Sequence, residues 1–207
     1  MKARCRFCGR EASYHLDHAR MSLCSECFIK YYERKVYKTI QKHGMLRKAR
    51  RVAVAVSGGK DSVALVKVLH ELVREKFQEV ELVAIHVDLG IPGYSEECRR
   101  IVEKVCGDLG LELHVHDLKK REGYGIPDFM DTPFRRRICG ACGTVKRYHT
   151  NRMAYELEAD RLATGHNLDD TVEILFELYL KGAVEEIVRM RPVSWSDHPK
   201  LVTRIKP

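Results

Sequence analysis

No stretch of the 207 residues approaches the ~18 consecutive apolar residues that a membrane-spanning helix needs. The N-terminal MKARCRFCGREA has no apolar core of the kind a secretory leader carries. A membrane-embedded protein and an exported one are thereby set aside, and a cytosolic chain with no membrane partner is expected. In that reducing compartment eight cysteines point to metal or redox chemistry rather than to disulfides. There is no internal repeat and no low-complexity tract. An ordinary 44% apolar content over this length leaves a globular body with one good core and a small appendage.

Charge of one sign is scarce in one place and abundant in another. The net charge is +8, yet residues 1–51 carry 14 Lys and Arg against 4 Asp and Glu, so the remainder is slightly acidic. A second basic zone spans 119–152, with nine basic and three acidic residues. Two such zones fit a polyanion partner, most simply nucleic acid, or a charge-rich solvated surface.

Cys5, Cys8, Cys24 and Cys27 form two C-x2-C knuckles separated by fifteen residues. Four thiolates so spaced can close a tetrahedron around Zn²⁺, and a filled tetrahedron is a structural site. A mixed Cys/His set drawing on His15 or His18 is the nearest alternative. Residues 1–30 are expected to be this zinc ribbon. Residues 31–51 read as a basic connecting helix with Tyr31, Tyr32, Val36 and Ile40 near one face.

From residue 52 strands and helices alternate. The segment AVAVSGGKDSVALV, residues 53–66, joins a buried strand to a helix through two glycines. Free backbone N–H groups and the positive end of the helix dipole then aim at one point, where an anion belongs. Neither common nucleotide signature is present. A Walker A loop would need Gly where Val54 stands and Ser or Thr where Asp61 stands, and the dinucleotide pattern needs a third glycine. Further strands are expected at 81–88, ELHVHDL and DRLATGH, with a fifth at KLVTRI. Helices are expected from Ser62 to about 75, from a Ser95 cap to about 109, after Cys142, and over LDDTVEILFELYL. Residues 118–138 read as a long loop. The rhythm predicts an α/β, doubly wound parallel sheet over 52–207, with ligands beyond the carboxyl ends of the strands. Cys139 and Cys142 form a third C-x2-C, open to reading as a redox pair or a second zinc site. Cys98 and Cys106 read as buried small apolar residues.

SGGKDS resembles the PP-loop of N-type ATP pyrophosphatases, which have an adenine nucleotide alpha hydrolase-like fold. With ATGHNLDD, ICGACGTVKRY and the N-terminal knuckles, nearly the whole chain resembles the tRNA 2-thiolation enzymes of that superfamily, of the tRNA-5-methyluridine 2-sulfurtransferase type. The sister enzymes of the wobble uridine are similar. The resemblance implies ATP contacts at Ala55, Ser57, Gly58, Gly59, Lys60, Asp61, Ser62, His86, Lys146 and Gly165. It implies catalytic or Mg²⁺-linked roles for Asp61, Lys146 and Asp170, with Asp169 a weaker candidate; for Asp170 a helix cap is the plain alternative. It gives Cys139 and Cys142 to a [4Fe–4S] cluster whose third cysteine lies further along in the family. No cysteine follows Cys142, and members continue with more catalytic domain, so the C-terminal part of the 52–207 domain is expected to be missing.

The implied reaction is adenylation of a uridine O2 at the expense of ATP, release of pyrophosphate, attack of sulfide at C2 and departure of AMP. Implied partners are tRNA, a ubiquitin-like thiocarboxylate sulfur donor and a second copy of the chain in a homodimer. Two other functions compete: adenylation chemistry without sulfur, and a non-catalytic zinc-containing RNA-binding module.

Overall fold

A computed structural model describes residues 3–207. The chain divides into two compact units at Gly44.

In the first unit, β1 (Tyr14–Leu16) and β2 (Met21–Leu23) form a three-residue antiparallel hairpin that turns through Arg20 in the left-handed region (φ 46°). Strands this short are not stable alone. They lean on a small core of Cys5, Leu23 and Cys24, packed by Leu16, Met21, Phe28 and Tyr31. Helix α1 (Ser25–Lys42) starts directly after Cys24, earlier than its sequence suggested, so Cys27 lies in its first turn. Val36 and Ile40 are buried, whereas Tyr32 turns outward.

The second unit is built on a six-stranded sheet. Its strands are β3 (Arg51–Ala55), β4 (Glu81–Asp88), β5 (Leu113–Asp117), β6 (Arg161–Thr164), β7 (Val193–Ser194) and β8 (Thr203–Ile205), in the order β5-β4-β3-β6-β8-β7. All neighbours are parallel except β7 against β8. Ala53 sits opposite Val83 on one side and Leu162 on the other. Helices cover both faces, which explains why β3 reads as an unbroken apolar run. Ala53, Val83, Ile85 and Leu162 pack on Met153 and Ala154 of α5 (Ile138–Glu156). The alternate residues Val52, Val54 and Ala84 are fully buried on the other face, where α2 (Lys60–Lys76) and α3 (Tyr94–Leu109) pack. Each such Val or Ile contributes about 1.5–3 kcal/mol relative to exposure. Cys98 and Cys106 are buried in α3, as expected.

Local departures from the sequence reading have physical causes. Helix α2 begins at Lys60, two residues early, with Gly59 as its cap. Gly93, not Ser95, caps α3; the Ser95 hydroxyl lies inside the first turn and accepts the Ile91 N–H at 3.0 Å. Residues 118–138 are not a loop. Helix α4 (Leu118–Glu122) is capped by the Asp117 carboxylate, which accepts the Lys120 N–H at 3.0 Å. Two 3-10 turns follow, Ile126–Asp131 and Pro133–Arg137, each with a proline in its first turn, where a missing N–H costs nothing. Helix α5 then starts at Ile138 and takes both Cys139 and Cys142 into its opening turns. Helix α6 (Leu168–Leu180) spans the expected residues but buries none of them; Leu168, Phe176, Tyr179 and Leu180 are exposed. A short α7 (Val184–Arg189) and the edge strand β7 complete the described fold.

Candidate active site

The turn from β3 into α2 is held by serine hydroxyls. The Ser57 N–H donates to Ser62 Oγ (3.1 Å), Ser57 Oγ lies 3.1 Å from the same atom, and Ser62 Oγ donates to the Gly59 carbonyl (2.9 Å). Gly58 has φ +88°, and a Cβ there would stand 2.9 Å from the Cys98 carbonyl oxygen. Only glycine meets both demands. No side chain caps the first turn of α2, so its leading N–H groups are free for a ligand.

A cavity of about 390 Å³, the size of a nucleotide-scale ligand site, opens beside this turn. Ala55, Ser57, Gly59, Asp61 and Ser62 line one wall, Ile85 and Val87 the floor, Thr164, Gly165 and His166 another wall, and Gly143, Lys146, Arg147 and Thr150 of α5 the roof. Arg204, at the β8 end, closes it. The strand ends therefore converge as a doubly wound sheet requires. Gly165 is pressed against the loop: a Cβ would lie 3.1 Å from the Ser62 N and Cα atoms.

Electrostatically the cavity is set for an anion. Arg147, Arg204 and Lys206 have no carboxylate within ion-pair distance among the described residues. Burial, and then Arg147, lowers the pKa of Arg204; burial, and then Arg204, lowers that of Lys206. His166 is likewise held below its ordinary 6.5 by burial and by the cations Lys206, Arg204 and Arg147. Mutual repulsion of this kind is relieved by phosphate. On the acidic side, the Asp61 carboxylate takes the Lys60 ammonium at 2.9 and 3.0 Å, which lowers its pKa. Asp170 and Asp169 add to the field on Lys60.

Seven of the ten expected ATP residues line this cavity. Three do not. Gly58 faces α3 instead. The Lys60 side chain is 85% exposed and is turned onto Asp61. His86 is the clear correction: alternation along β4 sends Ile85 and Val87 to the cavity and His86 to the opposite face. There it is buried, its Nδ1–H donating to the Val56 carbonyl at 2.8 Å, and it braces the entry to the loop. Asp170 also stands outside the lining. Its carboxylate accepts the Asn167 N–H at 2.8 Å while its own N–H donates to Asn167 Oδ1 at 3.0 Å, a reciprocal cap on α6. Arg147, Arg204, Thr150 and Thr164 were missed. Arg147 adjoins Lys146 and so carried a signal; Arg204 lies in the middle of β8, next to its last residue Ile205, so strand position alone did not mark it.

Cys139 and Cys142 are one helical turn before Gly143 and Lys146, so α5 presents thiols and cavity cations in succession. Cys139 is exposed and Cys142 is partly buried beside Leu89, Leu118 and Ile126. The described residues bring no third Cys, His or acidic ligand to this pair. Two thiolates do not hold a [4Fe–4S] cluster unaided.

In the first unit the sulfurs of Cys5, Cys8, Cys24 and Cys27 all lie within 4.8 Å of one another, which fits a tetrahedral Zn²⁺. Burial opposes ionisation of Cys5, but the backbone N–H groups of Cys24, Cys8 and Phe7 outweigh it and bring its pKa to about 6. Cys27 is pushed up to about 12 by burial and by the sulfurs of Cys24, Cys8 and Cys5. Arg10 donates to Cys8 Sγ (3.3 Å) and Cys24 Sγ (3.7 Å), as an outer partner of such a site does. No described helix is long and apolar enough to cross a membrane.

The loop, the converging strand ends and the anion-binding cavity define a nucleotide-binding α/β domain. Residues 30–202 match the family model described as the PP-loop domain, and the chain belongs to that family. Residues 4–29 match the model described as 2-thiouridine synthetase TtuA, N-terminal LIM domain. The chain is 38% identical over 204 residues to the tRNA-5-methyluridine(54) 2-sulfurtransferase of Pyrococcus horikoshii, covering 99% of this chain and 63% of that protein. It is 37% identical over 203 residues to the enzyme of the same name from Thermus thermophilus, covering 98% and 61%. Among solved structures it resembles the U34-tRNA thiolase NcsA from Methanococcus maripaludis with its [4Fe-4S] cluster, at 34% identity and a TM-score of 0.82, covering 100% of this chain and 67% of that one. The chain thus spans somewhat less than two thirds of the two curated relatives.

Proposed function

We propose that this chain carries the ATP-binding and sulfur-handling part of a cytoplasmic tRNA uridine 2-sulfurtransferase, with the T-loop 5-methyluridine as substrate. One observation carries the reading: the helix that bears Cys139 and Cys142 delivers Lys146 and Arg147 to the phosphate cavity one turn later.

The leaving-group problem at C2 of uracil sets the chemistry. The free N–H groups of the loop hold the pyrophosphate portion of ATP, and Lys146, Arg147 and Arg204 take up the charge that develops on it. Asp61, with Asp170 nearby, offers hard carboxylate oxygens for Mg²⁺. Uridine O2 attacks the α-phosphorus, the bond to the bridging oxygen breaks and pyrophosphate leaves. Sulfide then adds at C2, and AMP departs with the former O2. Cys139 and Cys142 would be the two thiolates that this chain gives to a [4Fe–4S] cluster whose remaining ligands come from elsewhere, and the cluster would supply a carrier for sulfide. A ubiquitin-like thiocarboxylate protein is the donor in this reading, and a homodimer the assembly. The basic N-terminal unit and its zinc site grip tRNA backbone.

A second substrate, the wobble uridine, is favoured by the likeness to the U34-tRNA thiolase. Nucleoside mass analysis of tRNA from cells lacking the gene decides between them. Loss of 2-thioribothymidine is expected; loss of wobble thiolation reverses the assignment. ATP–pyrophosphate exchange with and without tRNA separates either enzyme from an RNA-binding module.

A further inference from the structure

We propose that His116, Glu122 and His149 form a second metal site, buried apart from the cavity and the four-cysteine cluster, that takes a divalent ion of the Zn²⁺ type. The three residues come from β5, the end of α4 and the fourth turn of α5, and none lines the nucleotide cavity. His116 Nε2 is 3.0 Å and His149 Nδ1 3.9 Å from the same oxygen of Glu122, and all three donor atoms lie within 4.8 Å of one another. Ligand atoms about 2.0–2.2 Å from a tetrahedral ion stand roughly 3.3 Å apart, so this spacing is that of a coordination shell.

Hydrogen bonding does not account for the arrangement. His116 and His149 are 97% and 98% removed from solvent, yet the two nitrogens that converge have no hydrogen-bond partner. The Glu122 oxygen stands 3.0 Å from the His116 nitrogen without making a hydrogen bond to it, and at 3.9 Å it is too far from His149 to make one. A native interior rarely leaves two such groups unmet at one point. The two rings stack at 4.5 Å, which holds their converging nitrogens side by side.

The surroundings prepare the donors. The Tyr124 hydroxyl lies 3.4 Å from His149 Nε2, the other ring nitrogen, and holds the proton there, leaving the Nδ1 lone pair turned to the site. Arg152 donates to the same Glu122 oxygen at 3.2 Å and orients the carboxylate. Two imidazoles and a carboxylate suit Zn²⁺ and leave one position for water. The ion would tie edge strand β5 and α4 to α5 across residues 122–149, fixing the helix that bears both the thiols and the cavity cations.

The test counts metal in the full chain carrying C139S and C142S, so that those thiols bind none. After dialysis against Zn²⁺ and removal of free ion, two zinc per chain are expected, one of them at the four cysteines; His116→Asn should leave one. A single zinc in the parent, or two in His116→Asn, overturns the proposal. The cobalt-loaded parent supplies a readout that needs no histidine variant to fold. It should show hyperfine-shifted imidazole N–H resonances, which an all-cysteine site cannot give, and their absence also overturns the proposal.

Discussion

Replacing Arg204 by Met should weaken ATP binding while making the ligand-free chain no less stable, and the pairing of these two effects is the informative part. Arg204 sits on β8 opposite Leu162 and Ser194, and its guanidinium closes the phosphate cavity. Burial and Arg147 both disfavour its charge, so the empty site stores a repulsion that phosphate relieves. Methionine keeps the apolar stem and removes the charge. A charge-assisted hydrogen bond is worth about 1.5–3 kcal/mol, which is roughly 10–150-fold in Kd. With ATP at 100 times the parent Kd, binding stabilises the parent by about 2.7 kcal/mol; a 100-fold weaker variant gains only about 0.4 kcal/mol. Calorimetric titration with a non-hydrolysable ATP analogue gives the first number, and thermal melts with and without it give the second. A variant that melts lower when empty and keeps its full ATP-induced shift would refute the reasoning, since Arg204 would then be a structural residue.

His166 has a folded-state pKa below its ordinary 6.5, so its share of stability is complete above pH 6.5 and is lost as pH falls through the depressed folded value. His166→Gln should flatten that acid limb in denaturant titrations, and ATP binding just below pH 6.5 should take up protons, read by calorimetry in buffers of different ionisation enthalpy. Gly58→Ala must hold a left-handed φ, at about 1–2 kcal/mol, and push a methyl onto the Cys98 carbonyl, so ATP–pyrophosphate exchange should vanish while circular dichroism stays that of a folded chain. A chelator strong enough to strip zinc should expose the first unit to protease and leave 45–207 resistant, seen as a stable fragment on gels. The Cys139→Ser, Cys142→Ser double variant should keep tRNA-dependent pyrophosphate release and lose sulfur incorporation; loss of both would uncouple these thiols from the sulfur step.

The sheet was legible because burial on both faces leaves a signature that tertiary context cannot alter. β4 spans the residues expected of it, and β3 is the buried strand expected before the two glycines, since neither run offers a continuous polar face. Side-chain direction was also available there and went unused: a strand that sends Ile85 and Val87 to the ligand must send His86 away. Starts and stops were harder. Helix α5 opens after Arg137 with no side-chain cap, so nothing local announces that Cys139 and Cys142 are helical. The turns at 126–137 depend on Asp128, Thr132 and two prolines acting together. β7 pairs two residues only and has no periodicity to read. Helix α6 shows the limit of pattern: its apolar residues gave its boundaries correctly, but a helix in a doubly wound sheet should bury such residues and this one buries none.

What joins the site into one device is α5 more than the glycine loop. The loop and the strand ends would hold phosphate on any sheet of this topology. Helix α5 adds what the topology does not: thiols in its opening turns, cations one turn on, Thr150 in the cavity roof, and His149 and Met153 turned inward. A helix rises about 1.5 Å per residue, so Cys142 and Lys146 are separated by about 6 Å along its axis. In the proposed reaction a base whose O2 is activated beside Lys146 would then be within reach of sulfur held near Cys142, and any tilt of α5 would spoil both contacts together. The two inward histidines therefore bear on chemistry they do not touch. An ion at His116, Glu122 and His149 would pin the middle of this helix to β5, adding to the packing of Met153 and Ala154 on the sheet. Its removal should lower sulfur incorporation more than ATP affinity, because phosphate is held by the loop as well as by α5 and sulfur by α5 alone. Equal losses in the two would mean that the loop, not the helix, sets the geometry.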